Sequence, residues 1–303
     1  MRTTFVNVLL KKVEENKNIE LLTGDLGFGV LKEFMEKYPD HFTNCGIAEQ
    51  NMLTVAGGMA SMGKCVVAYS IGNFPTFRAL EQIRNDICYY NHNVKIICIG
   101  GGYTYGSLGM SHHATEDIAI MRAMPNMHIF TPSTKEEARL CAEKMFEIDG
   151  PCYLRLERDC NELPAINPIA KDILALQERI NHSSKTLVLT YGTILEEVVK
   201  AVSGKDIDVY TAPTLKPFDE KGLLKLLDSH ENVVVVEEHS VIGGLDDIVL
   251  GVIAKHSLKK KVINIGINDT FTSAVGNQHY LRGVVGIDEE AIVKRLKDEN
   301  IIS

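Results

Sequence analysis

The chain has 303 residues, 45% of them hydrophobic and 24% charged, with a formal net charge of -8. At about 150 residues per domain, this length predicts two domains rather than one small core. The acidic balance argues against nucleic acid or an anionic membrane surface as the main partner, and no apolar run reaches the ~18 residues that cross a bilayer.

Residues 3–15 predict a helix with Phe5, Val8, Leu9 and Val13 on one face. Residues 19–23 read as a strand running into Gly24-Asp25-Leu26-Gly27-Phe28-Gly29. That turn lacks the lysine of a P-loop and the spacing of a dinucleotide fingerprint. It reads as a sharp turn beside a site, with Asp25 in reach of a ligand. Residues 30–38 predict a helix stopped by Pro39. Along Asn44-Cys45-Gly46-Ile47-Ala48-Glu49-Gln50 a strand ends, the chain turns and a helix begins. Glu49 falls in the first turn, where the helix dipole favours it, with Asn44 as a candidate cap. Residues 64–70 and 94–100 read as buried strands around a helix at 77–89. Residues 100–113 are irregular and hold five glycines, two tyrosines and two histidines. Long loops of such content tend to carry function. Helices follow at 114–124 and 135–148, and strands at 128–132 and 152–156.

Strands alternating with helices predict a parallel sheet covered on both faces, with ligands at the carboxyl ends of the strands. Glu49, the loop bearing His112, and Arg158 each follow a strand and share that edge. The first domain is expected at 1–160, a linker with two prolines at 161–184, and a second domain at 185–303. The second repeats the pattern, with strands at 186–190, 208–211, 233–237 and 261–265. Its helices are expected at 195–202, 220–227, 245–256 and 289–298. The fold class is therefore α/β, with two doubly wound domains of mostly parallel sheet. Glu237, Glu238 and His239 ahead of Gly243-Gly244 read as a tight turn and helix start as readily as a catalytic group. The seven cysteines form no Cys-x-x-Cys pair. That scatter points to free thiols in a reducing cytoplasm, and no cleavable signal is read at the N-terminus.

Three blocks, in this order, resemble the C-terminal half of the transketolase family of thiamine diphosphate enzymes. The first is Gly46-Ile47-Ala48-Glu49-Gln50. The second runs from Arg78-Ala79-Leu80-Glu81-Gln82-Ile83-Arg84-Asn85 through Gly109-Met110-Ser111-His112-His113 to Met121-Arg122-Ala123-Met124-Pro125-Asn126-Met127. The third is Val235-Val236-Glu237-Glu238-His239-Ser240 with Gly243-Gly244-Leu245. The resemblance implies a pyrimidine-binding domain followed by a transketolase C-terminal domain. It also implies that Glu49 hydrogen-bonds a ring nitrogen of the cofactor's aminopyrimidine. A carboxyl group there favours the imino tautomer of the neighbouring amine, which then serves as an internal base. A shielded glutamate suits that role. Ile47 and Asp25 would lie beside the cofactor, and either Phe74 or Phe77 would give the aromatic face under the pyrimidine. His112, with His113 next to it, would face the substrate. Arg158 would hold a substrate phosphate, and Arg78 matches a substrate arginine of the related deoxyxylulose phosphate synthases.

The family's other half carries a Gly-Asp-Gly motif and an asparagine that hold the cofactor's diphosphate through a metal ion. Here Leu26 follows Gly24-Asp25, and no Gly-Asp-Gly occurs. The resemblance thus implies one subunit of a split enzyme with no metal ligands of its own. Mg2+ or Ca2+ would be held mainly by an N-terminal partner subunit in a two-plus-two assembly. Leu108 stands where many members carry an acidic residue, and a glycine near Gly100 replaces a histidine. Both remove polar contacts to a ketose phosphate. The expected activity is transfer of a two-carbon ketol unit between sugars or sugar phosphates. The alternatives are a deoxyxylulose phosphate synthase-like enzyme, the beta-type subunit of a 2-oxoacid dehydrogenase, and a non-catalytic homologue that binds a partner.

Overall fold

The computed structural model describes residues 1–157, 163 and 166–303, so Arg158 lies outside the described residues. The strands of the first half are β1 (Ile19–Thr23), β2 (Phe42–Asn44), β3 (Cys65–Ile71), β4 (Val94–Ile99), β5 (His128–Phe130) and β6 (Cys152–Leu156). Those of the second are β7 (Gln177–Ile180), β8 (Thr186–Thr190), β9 (Asp208–Thr211), β10 (Thr214–Lys216), β11 (Asn232–Ser240) and β12 (Lys261–Ile267). They form two sheets. The first runs β10-β5-β6-β4-β3-β1-β2, parallel throughout except where β10 meets β5. The second runs β12-β11-β8-β9-β7, parallel except where β7 meets β9.

Burial explains why these strands read as continuous apolar runs. β1, β4 and β6 are buried at every position, as expected of parallel strands covered on both faces. Successive side chains still serve opposite cores. Leu21, Val67 and Ile97 pack with Phe5, Leu9 and Met145 from the helices Arg2–Glu15 and Lys135–Glu147. Leu22, Val66 and Ile96 belong with Met52, Ile83 and Ile118 on the other face. That second core continues through Leu189, Val235 and Val249, so the two sheets share one apolar layer. Among the described residues no helix is long and apolar enough to cross a membrane.

Four elements differ from the sequence reading. β7 lies inside the stretch expected as linker. Its Gln177 and Glu178 suit an edge strand, and the Gln177 amide donates to the carbonyls of Asp172 and Ala175 at 2.8 and 2.9 Å. β10 comes from the second half of the chain but completes the edge of the first sheet. The helix expected at 77–89 starts earlier. Wide turns at Phe74–Arg78 and Ile83–Cys88 flank one ordinary turn at Leu80–Gln82. Pro75 is accommodated because a first helical turn needs no N–H from it. Finally, the sequence pattern does not predict the helix Gln278–Val285, which Asn277 caps by accepting the Tyr280 N–H at 2.9 Å.

Candidate active site

β1 has β2 on one side and β3 on the other, so the connections diverge there, and open α/β sheets receive ligands at the carboxyl ends of such strands. The segments leaving β1, β2, β3 and β4 at that edge carry Asp25, Glu49, Phe74 and the 100–113 loop.

The turn before Glu49 is closed by Asn44, though not as a helix cap. The cap position belongs to Ala48, which offers no side-chain bond. Asn44 Oδ1 instead accepts the N–H groups of Asp25 and Gly46, each at 3.0 Å, while Nδ2 donates to Asp25 Oδ1 at 2.9 Å. This carboxamide ties the turn after β1 to the turn after β2. Asp25, exposed and left-handed at φ 59°, is committed to that clasp. The helix Glu49–Ser61 is then fixed from behind. Thr54 Oγ1 donates to Asp86 Oδ2 at 2.7 Å. Gly57 lets the backbones touch, since a Cβ there would sit 2.7 Å from the Asp86 carbonyl oxygen. The result leaves Glu49 only 1% exposed while Ile47 projects outward at 77%.

Four of the expected residues converge at this site. Arg78 Nη1 donates to Glu49 Oε2 at 2.7 Å. The guanidinium lies 4.9 Å over the Phe74 ring. Phe74 meets the His112 ring edge-on, with centroids 5.1 Å apart. His112 Nδ1 lies 3.1 Å from Ser111 Oγ, and partial burial holds the ring's pKa below its usual value. It is therefore neutral at pH 7 and able to accept or donate a hydrogen bond. His113 is buried edge-on against Tyr103 at 4.9 Å, its pKa also lowered chiefly by burial. Phe77 is not part of the Phe74 cluster. With Asn73, Met110 and His113 it lines a cavity of about 350 Å³, whose other wall is Thr270, Phe271 and Thr272 from the second half. Leu108, within the 100–113 loop, is exposed.

The sequence reading missed what holds the 100–113 loop in place. Glu238 Oε1 accepts the Tyr103 N–H at 2.5 Å, and Gly102, at φ +60°, leaves no room for a Cβ against the same carboxylate. Arg282 Nε donates to Glu238 Oε2 at 2.5 Å. The Gln278 amide bridges Glu157 Oε2 at 2.9 Å and Glu238 Oε1 at 3.0 Å. Arg155, on the strand expected at 152–156, is 2% exposed and reaches Asp117 at 3.0 Å and Glu157 at 3.4 Å. Burial, then the charge of Glu238, pushes the Glu157 carboxyl pKa up. Glu237 has a capping role. It accepts the N–H groups of Leu245 and Asp246 at 2.8 and 3.2 Å, and burial raises it to about 7.

Comparison with known proteins matches this geometry to a family. The model described as transketolase, pyrimidine binding domain, matches residues 1–162, and that described as transketolase, C-terminal domain, matches residues 177–292. The chain belongs to the transketolase family. It is 36% identical to a Methanocaldococcus jannaschii chain assigned to the C-terminal section of a transketolase, over 99% of this chain and 96% of that one. It is 33% identical to a subunit of the apulose-4-phosphate transketolase of Actinobacillus succinogenes, over 86% and 85% of the two chains. A solved split gene transketolase, an inactive beta4 tetramer, superposes with a TM-score of 0.86 at 31% identity, covering 98% of this chain and 97% of that one. The side of thiamine diphosphate that a transketolase pyrimidine domain receives fits the residues present here. The planar, hydrogen-bond-donating guanidinium of Arg78 already lies between the buried carboxylate and an aromatic face.

Proposed function

We propose that this chain is the C-terminal subunit of a split, thiamine diphosphate-dependent transketolase that moves a two-carbon ketol unit from a ketose to an aldose. The observation that carries the reading is the buried Glu49 carboxyl group at the carboxyl ends of the strands, linked through Arg78 to Phe74 and His112. When bound, the cofactor supplies the carbon nucleophile that takes up and passes on the two-carbon unit. Glu49 shares a proton with a ring nitrogen of the aminopyrimidine and so sets its tautomer. Phe74 is the stacking face, with Ile47 and Asp25 at the rim of the seat and Phe77 on the cavity side. His112 and His113 orient the sugar, and Arg158 and Arg78 take its phosphate. The Mg2+ or Ca2+ and the diphosphate are assigned to an N-terminal partner, because no Gly-Asp-Gly occurs in this sequence. The assembly proposed is two copies of each chain, working on carbohydrates in the cytoplasm.

Co-purifying the chain with a Gly-Asp-Gly-bearing partner and screening ketose donors against aldose acceptors tests the reading. Two-carbon transfer that requires both chains and thiamine diphosphate supports it. Transfer by either chain alone refutes it. A second reading, acyl transfer of the deoxyxylulose phosphate synthase kind, is favoured by Arg78 lying within the site, and pyruvate in the donor panel separates the two.

A further inference from the structure

The contact between Arg78 and Glu49 has the form of an occupied seat. One planar cation satisfies the carboxylate on one side at 2.7 Å and lies 4.9 Å over the Phe74 ring on the other. A planar heterocycle that hydrogen-bonds Glu49 and stacks on Phe74 needs that same space. We propose that Arg78 fills the aminopyrimidine seat of the unloaded chain and is exchanged for the cofactor when it loads. This rests on the reading of Glu49 as the pyrimidine's partner.

The physical reasons come from the two side chains themselves. Glu49 is 1% exposed. A buried carboxylate without a partner is strongly unfavourable, so an unloaded seat with an ionised Glu49 favours a counter-charge. Arginine meets that need better than lysine, because its flat, delocalised head both hydrogen-bonds a carboxylate and lies on an aromatic face. The side chain of Arg78 is also 49% exposed, so it has a path out into solvent that Glu49 lacks. It stands in the wide turn Phe74–Arg78, whose backbone also positions Phe74.

The exchange has a thermodynamic signature. When a resident group must leave before a ligand binds, the apparent dissociation constant is raised in proportion to how rarely the seat is open. Deleting that group should tighten binding, whereas deleting an ordinary binding residue weakens it or leaves it unchanged. Release of Arg78 also delivers a cation to the mouth of the site only after loading. Affinity for an anionic substrate then follows cofactor occupancy.

The test is isothermal titration of thiamine diphosphate into the complex of this chain with its diphosphate-binding partner, for the native protein, Arg78→Met and Arg78→Lys. The expected result is binding about tenfold tighter in Arg78→Met, with Arg78→Lys in between. Equal or weaker binding in Arg78→Met overturns the exchange. A second readout uses nitrogen NMR of the arginine head groups. Hindered guanidinium rotation of Arg78 in the cofactor-free chain, released on loading the complex, supports the exchange; an unchanged signal overturns it. Glu49→Ala made in the Arg78→Met background, where no resident cation competes, separates the two ideas. If it leaves the affinity of Arg78→Met intact, the assignment of Glu49 fails. If only Arg78→Met fails to tighten binding, the exchange fails alone.

Discussion

Arg282→Met tests whether the second half of the chain holds the 100–113 loop. Arg282 is 4% exposed and reaches Glu238 at 2.5 Å, Thr193 at 2.9 Å, Glu197 at 3.4 Å and Glu157 at 3.8 Å. Methionine fills much of the volume and leaves three buried carboxyl groups without their shared cation. Breaking one partner from such a cluster costs about 3–5 kcal/mol. At roughly 2–4 °C per kcal/mol, the melting temperature should fall by roughly 6–20 °C. The loss should shrink as pH falls from about 8 to about 5, because the orphaned carboxyl groups then take up protons in the folded state. Urea denaturation at several pH values measures both effects. The double variant Arg282→Met/Glu238→Gln should recover part of the loss, since it removes one of the stranded charges. A loss below about 1 kcal/mol, or one independent of pH, would show that the cluster is not the support described here.

Two further outcomes are expected. Burial raises the Glu237 carboxyl pKa from 4.5 to about 7. A raised carboxyl pKa means that the folded chain holds the proton more tightly, so this contribution to stability is complete below pH 4.5 and lost as pH rises through 7. Glu237→Gln cannot ionise, and its stability relative to the native chain should rise by up to about 3 kcal/mol across that window, measured by chemical denaturation. His112→Ala should lower kcat/KM by about 10²-fold while leaving the dissociation constant of thiamine diphosphate unchanged. Weaker cofactor binding in that variant would place His112 in the seat rather than over the substrate.

Much of the fold is legible because parallel sheets impose a strong pattern. β1 and β8 coincide with their apolar runs, and the helix Glu289–Asp298 with its amphipathic period. The shared edge of Glu49 and His112 follows from strand order alone. Asn44 misleads because its carboxamide serves Asp25, a partner 19 residues away, rather than the next helix. The charge cluster is hidden for the same reason. Nothing local links its members until folding brings Glu238 to Arg282, 44 positions on, and Glu157 to Gln278, 121 positions on. Asn277 ahead of Leu281 is the one local sign of the helix Gln278–Val285. The choice between Phe74 and Phe77 needs three dimensions, since both follow β3 and only Phe74 lies under the Arg78 head group.

Whether Glu49 seats the cofactor is decided most directly by titrating thiamine diphosphate into the two-chain complex with and without Glu49→Ala. Loss of a charge-assisted hydrogen bond predicts affinity about 10–100-fold weaker, with turnover falling alongside it. Equal affinity and turnover in the variant would contradict the proposed role of this carboxyl group.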